Sequence, residues 1–501
     1  MIDIITKIHD RFSIEFKMGF VTRRKLRRND FSVYMWIFVP KSLDISPDSY
    51  SKSDFYQDVK SNVRLITPRF LLREIAGGSA TPLLKLRRSF ENLALNPTRT
   101  MTAEYEYQIK MFAAITKSAS REEFRHICSE RVLKEDIVWL CSQYVDSCRK
   151  ILSEYRAARN IINAPGVSDE MMSCWYFGDD FISTIVQSHS VKIVSFLTEK
   201  GEREYSAAAE GLLSLIREEN AYRQKMDYSV LSSDDPMHNR VMLFRFGALK
   251  KYVESDLFTD VPKKKDGALV EQLYFSIAAG MAMMFATIVS FTFQQKFGNF
   301  TLPFFIILVI SYMIKDRIKE LSRYYFAHQI GSRFFDNKAK IRVKDEIIGS
   351  IKEGMDFIPD SKVPEEVKFV RYHKRLLQVE KRISDDRVIL YRKQVHIDRK
   401  ALSRLSDYDS SGINDIIRLN VNSFLQKMDN PKVNVTSIAE DGTLKTVACD
   451  KIYYMNIVLQ MNYDESGKGD LGRGNKNLST EFKRFRVALN RDGIDSIEEV
   501  V

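Results

Sequence analysis

Apolar and polar residues alternate along residues 12–18 (Phe-Ser-Ile-Glu-Phe-Lys-Met), and residues 31–39 form an aromatic and β-branched stretch that stops at Pro40. A period of two predicts strands in both places. Between them stands Arg23-Arg24-Lys25-Leu26-Arg27-Arg28. The pair therefore reads as an antiparallel hairpin with a long basic connection, occupying residues 1–50.

The period changes further on. Residues 102–129, 134–162, 181–200 and 202–225 show apolar side chains returning at three and four, with breaks at Asn163-Ala-Pro-Gly166 and Ser232-Ser-Asp-Asp-Pro236. This pattern predicts a helical domain over residues 51–262, with aromatic residues such as Trp139 and Trp175 in its core.

Periodicity then gives way to continuous apolarity. Residues 273–293 contain no charge, residues 297–314 contain none either, and only Gln294, Gln295 and Lys296 separate them. Each run is long enough to cross about 30 Å of hydrocarbon as a helix, the second with little to spare. Residues 273–314 are thus expected to form a two-helix transmembrane hairpin. Within the first run Ala278, Ala282 and Ala286 recur every four residues, a spacing that lets helix backbones approach closely, either against the second run or against another subunit.

Residues 315–382 continue as a basic juxtamembrane and linker segment. Residues 315–400 hold 22 Lys and Arg against 14 Asp and Glu. Strand patterns return at 387–397, 416–421, 432–437, 451–461 and 481–489, so residues 383–501 read as a mainly antiparallel β domain. Whether the first two strands join this sheet is left open by the sequence. The fold class is α+β: an integral membrane protein with its hairpin between a mainly helical and a mainly antiparallel β domain.

Charge gives this arrangement a direction. Lys263, Lys264 and Lys265 precede the hairpin and Lys315, Arg317, Lys319 and Arg323 follow it, while the connection holds only Lys296. Flanks rich in Lys and Arg stay on the cytoplasmic side, which predicts a cell-membrane protein (inner membrane in a bacterium) with two crossings and both termini cytoplasmic. The net charge of +11 over 501 residues is then largely a product of those flanks. Arg23, Arg24, Lys25, Arg27 and Arg28, with Lys315, Arg317, Lys319 and Arg323, are candidate contacts for membrane lipid or phosphate. Nucleic acid ranks below lipid as the polyanion, because no aromatic platform interleaves with the arginines.

Motifs for chemistry are weak. Gly467-Lys-Gly-Asp-Leu-Gly472 has the spacing of a dinucleotide loop but leads towards a strand instead of the helix that would receive the pyrophosphate. Asp407-Tyr-Asp-Ser-Ser-Gly412 opens like a calcium loop, yet Arg418 stands where the bidentate Glu belongs. The acidic pairs Asp179-Asp180, Asp234-Asp235 and Asp385-Asp386 have no selecting spacing, and the seven histidines and five cysteines form no zinc pattern. No cofactor or metal is expected. The leading expectation is a membrane-anchored scaffold, sensor or regulatory protein that binds another protein or its own copies. The alternatives are a membrane-tethered enzyme acting on an anionic lipid or nucleotide, and an oligomeric membrane effector or channel whose ionisable-free crossings assemble into a pore.

Overall fold

The computed structural model describes residues 2–23, 26–77, 81–130, 132–201, 205–298, 301–325, 334–372, 386–405, 408–438, 442–464 and 478–500. The chain divides into two compact units. One is built from residues 1–64, 259–407 and 412–501, and the other from residues 65–258 with 408–411.

The first unit is a β assembly. Its strands are β1 (Ile2–Asp10), β2 (Ser13–Val21), β3 (Arg28–Val39), β4 (Val59–Leu65), β5 (Lys263–Lys265), β6 (Asn337–Val343), β7 (Glu346–Ile358), β8 (Arg387–Asp398), β9 (Gly412–Asn420), β10 (Lys432–Ile438), β11 (Leu444–Asp450), β12 (Tyr453–Asp464), β13 (Leu478–Asn490) and β14 (Gly493–Val500). Eight of them form one antiparallel sheet in the order β14-β13-β12-β3-β8-β7-β6-β5, four more form a second sheet, β1-β2-β9-β4, and β10 and β11 make an exposed ribbon. The smaller sheet packs on one face of the larger, where Phe16 meets Phe485 and Phe20 meets Phe31. The opposite face carries Trp36, Phe38, Val388, Leu390 and Val458 beneath helix Glu365–Tyr372, whose Val367 is fully buried. This division follows from the pleat, since odd and even residues of β3 serve different layers.

The predicted N-terminal hairpin is therefore corrected. Its two strands lie in different sheets: β2 pairs with β1 and β9, while β3 lies between β12 and β8. β3 carries apolar residues on both faces and needs cover on each side, which a two-stranded hairpin cannot provide, whereas β2 is apolar on the Ile14–Phe16–Met18–Phe20 face alone. The basic segment after the apolar runs also contains β6 and β7, so it contributes to the central sheet rather than only linking to it.

The second unit is helical: α2 (Leu72–Ala76), α3 (Thr81–Leu95), α4 (Arg99–Ile127), α5 (Lys134–Ala157), α6 (Arg159–Ile162), α7 (Asp169–Lys200), α8 (Ser206–Lys225) and α9 (Pro236–Val253), with α1 (Lys52–Asp58) belonging to the β unit. Trp175 is buried in its core, stacked on Tyr155. Trp139 is not, being 58% exposed; periodicity gives α5 an apolar face but does not say how much of it is covered.

The apolar runs form α10 (Ala268–Phe297) and α11 (Leu302–Tyr325). Among the described residues, only α10 is long and apolar enough to cross a membrane. Gly298, at φ 75°, ends α10 after Phe297, so the second predicted run is divided by the turn. What remains apolar in α11 is residues 302–314, about 20 Å at 1.5 Å per residue, before Lys315, Asp316 and Arg317. The helices are antiparallel neighbours, with Arg323 near the end of α11 lying over the ring of Phe275 near the start of α10 at 5.4 Å.

Candidate functional site: the neck joining hairpin and sheet

The chain segments before α10 and after α11, residues 263–267 and 334–336, meet at one place in the β unit. Entry is through β5, Asp266 and Gly267. Gly267 has φ 71°, and a Cβ there would stand 2.8 Å from the ring of Phe334, so both backbone conformation and packing favour glycine. On the return side, Phe335 lies beneath two cations, Arg392 at 5.3 Å and Lys352 at 5.9 Å from its ring. The next residue, Asp336, gathers the surrounding elements. Its carboxylate accepts hydrogen bonds from Lys52 Nζ (2.8 Å), Tyr56 Oη (2.9 Å) and the Met355 amide (2.7 Å), while its carbonyl accepts from the Asp266 amide (3.3 Å).

A ring of ion pairs reinforces this point. Lys52 also reaches Asp356 (3.0 Å), Arg392 reaches Asp356 (2.5 Å) and Lys352 reaches Asp266 (3.1 Å). Burial draws the Lys52 ammonium down, but Asp336 and Asp356 more than reverse this and hold it above its ordinary value. Burial and the Asp336 charge push the Tyr56 hydroxyl well up, so it remains a donor. Charge-assisted bonds of this kind are about twice as strong as neutral ones. The segments at residues 266 and 336 are thus held by a clamp whose parts come from α1, β7 and β8.

A second set of charges lies between the sheets. Lys263 on the edge strand β5 pairs with buried Glu353 (2.5 Å), which also accepts from Tyr391 Oη (2.8 Å). Deeper in, Lys393 and Asp415 form an ion pair with side chains 1% and 0% exposed, and Ser61 accepts from Lys393 (2.9 Å) while donating to Asp415 (2.7 Å). Burial pushes the Glu353 carboxyl up, but Lys393, Lys263 and the Tyr391 hydrogen bond outweigh it and hold the group below its usual value. A small recess opens here, lined by Ser61, Lys263, Asn337, Glu353 and Lys393. Because residues 266–267 alone separate β5 from α10, this ion-paired core anchors the strand that feeds the hairpin.

The residues nominated by sequence are dispersed. Ala278, Ala282 and Ala286 are the buried residues of α10, and α11, whose own buried residue is Ser311, packs on that helix. Lys315, Arg317, Lys319 and Arg323 lie on α11, where Arg317 pairs with Glu320 at 3.0 Å. Arg23, Arg27 and Arg28 lie in or beside the β2–β3 connection, with Arg28 bonded to Asp30; Arg24 and Lys25 are outside the described residues. So are Gly467, Gly469 and Gly472 of the glycine motif, Asp407 of the calcium-like motif and Asp385.

The other acidic pairs have structural partners. Asp235 caps α9, accepting from the amides of Met237 and His238. Asp179 and Asp180 are buried with Glu219 among Arg156, Arg223 and Arg245, and Tyr222 and Tyr228 donate to Asp179. Three carboxylates face three guanidiniums, so the network is balanced. A Ser120–His189 contact (2.7 Å) has the chemistry of a nucleophile and base, but Ser120 has no exposed surface and also contacts Tyr144 (3.1 Å) in the core. Among the described residues, no group of three or more His, Cys, Asp or Glu is arranged to hold a metal ion. The chain matches no protein-family model, no curated protein and no solved structure.

Sequence reasoning did not find the neck. Lys52, Asp336 and Asp356 lie hundreds of residues apart in part, and none belongs to a motif. The available signal was local: Gly267 and Phe334-Phe335-Asp336 bracket the apolar region on its two sides.

Proposed function

We propose that this chain is a membrane-anchored scaffold, sensor or regulatory interaction protein, held by the α10–α11 hairpin with both folded units on the cytoplasmic side. One observation carries the anchoring reading. The large apolar side chains of α10 point outward, with Leu273, Ile277, Met281, Met284, Ile288 and Phe291 each more than half exposed, while the residues buried in the protein are three alanines. The core helix of a soluble protein has the reverse distribution, whereas a lipid-facing helix that packs on a neighbour through small residues has this one.

Two crossings agree with the polar character of the tip. Gln294, Gln295 and Lys296 would be costly within hydrocarbon and are accommodated at the far headgroups. The cations before α10 and along the second half of α11 favour cytoplasmic ends. The neck then favours a sensor or regulatory role, since displacement of α10 would be passed to the central sheet through Gly267, Asp266 and the strand that carries Lys263. The channel alternative loses its subunit seam, because the alanine stripe on which it relied is covered by α11.

The test uses the chain in its native membrane. Alkaline extraction should leave it in the pellet; release into the supernatant would refute anchoring. An impermeant maleimide should label Lys296→Cys in intact cells, and exposed Cys449 only after the cells are opened. Labelling of Cys449 from outside would overturn the second crossing or the orientation, and failure at position 296 would overturn the crossing by α10.

A further inference from the structure

Helix α9 in the helical unit has two apolar faces, and only one of them is covered. Leu249 and Val253 are buried, and Phe246 stacks on Phe181. Around the helix from them, Met237, Val241 and Phe244 repeat at i, i+4 and i+7 and are 65%, 53% and 79% exposed. Leu231, just before the helix, is 71% exposed. Residues at these intervals share one side of an α-helix, so they form a stripe and not scattered positions.

Charge on the helix selects what covers this stripe. The α9 sequence contains Arg240, Arg245, Lys250 and Lys251 and no Asp or Glu. Arg245 is turned inward to Asp180. At 100° per residue, Arg240 and Lys251 fall within about 40° of Phe244, beside the apolar stripe. A short apolar face with Arg and Lys along one side, beside a bulky aromatic, is the composition of a helix lying in the headgroup boundary of an anionic membrane. Residues 254–267 then lead from α9 to α10, so the chain that carries the stripe is the one delivered to a bilayer.

We infer that the exposed Met237–Val241–Phe244 face of α9 is a second membrane contact, lying on anionic lipid headgroups. The inference rests on the anchoring proposed above. It gives the helical unit its own lipid-dependent attachment: Phe244 and Met237 enter the acyl boundary, and Arg240 and Lys251 meet lipid phosphates. Attachment would respond to the anionic content of the leaflet and weaken with salt, as contacts of exposed charges do. The hairpin itself is indifferent to both.

The experiment uses full-length protein in nanodiscs of phosphatidylcholine alone or with phosphatidylglycerol added, with brominated acyl chains as the quencher. Phe244→Trp is introduced in a chain whose native tryptophans are replaced by phenylalanine, and Phe291→Trp in α10 serves as the control for insertion. Emission at position 244 should shift to the blue and be quenched in the anionic discs, less so in phosphatidylcholine or high salt. The double change Arg240→Glu with Lys251→Glu should abolish the quenching. Quenching at 291 with none at 244 in either disc would overturn the lipid contact while leaving the anchor intact. Absence of quenching at 291 would refute anchoring itself and this inference with it. Protection of position 244 only when a copurifying protein is present would assign the stripe to a protein partner and refute the lipid assignment.

Discussion

Replacing Lys393 with methionine tests how the β unit is held together. The Lys393–Asp415 pair joins β8 of the larger sheet to β9 of the smaller, and neither side chain has appreciable contact with solvent. Methionine preserves most of the stem and its packing. Asp415 would then remain buried, with the Ser61 hydroxyl donating to it but no cation beside it. Breaking a buried pair by removing one partner costs about 3–5 kcal/mol. At roughly 2–4 °C per kcal/mol for a large domain, the unit should melt about 6–20 °C lower. Trp36, buried beside the helix Glu365–Tyr372 in this unit, reports the transition by fluorescence, with Trp139 and Trp175 of the helical unit replaced by phenylalanine. The companion variant, Lys393→Met with Asp415→Leu, removes both charges. It should recover all but about 1 kcal/mol, since apolar replacements of a whole buried pair are often neutral. A single variant that melts with the parent, or a double variant as damaged as the single one, would refute the electrostatic reasoning and leave packing as the cause.

Three further outcomes follow from other parts of the structure. Glu353 has a folded-state pKa below its unfolded value, so its contribution to stability is present above the unfolded pKa and is lost as pH falls through the folded one; acid titration of the Trp36 transition should show this loss, and Glu353→Gln should flatten it. In the helical unit, burial first, then the charges of Lys192 and Arg121, pull His189 down to about 4 from 6.5; stability should fall by up to about 3 kcal/mol as pH drops from about 6.5 to 4, where the unfolded chain binds a proton that the folded one refuses, and His189→Gln should remove that slope. Gly267→Ala forces a non-glycine residue to φ 71° against the Phe334 ring and should cost about 1–3 kcal/mol, read as faster hydrogen exchange in β5 and β6, with no change expected from Gly280→Ala, where a Cβ meets open space.

Much of the architecture is visible in the sequence, and its failures have definite causes. The helical blocks between residues 102 and 225 emerge because a period of three to four survives in the composition, and Asn163-Ala-Pro-Gly166 breaks it where α6 gives way to α7. β6 was equally legible in principle: Lys338-Ala339-Lys340-Ile341-Arg342-Val343 alternates exposed cations with buried apolar residues. Its cations resemble those of a membrane-surface segment, and that likeness masks the period of two. The pairing of β3 with β8 and β12 was beyond reach, because register over hundreds of residues is decided by which faces need cover and not by local pattern. The neck was hidden for the same reason. Asp336 becomes significant only when folding brings Lys52, Tyr56 and Met355 to it.

The anchoring proposed above would give the unequal helices of the hairpin a bearing on bilayer thickness. α10 offers an apolar run, residues 273–293, of about 32 Å, whereas its antiparallel neighbour offers about 20 Å before the charges of Lys315, Asp316 and Arg317 begin. A hydrocarbon layer about 30 Å thick satisfies the first and strains the second. A thinner one relieves α11 and lets α10 tilt. In that proposal the strain would be a function of membrane thickness, and it would act on α10, which Asp266 and Gly267 join to β5 of the central sheet. An anchor of the proposed kind would sort towards thin membranes, and stretching or thinning of the lipid around it would become a force on the β unit.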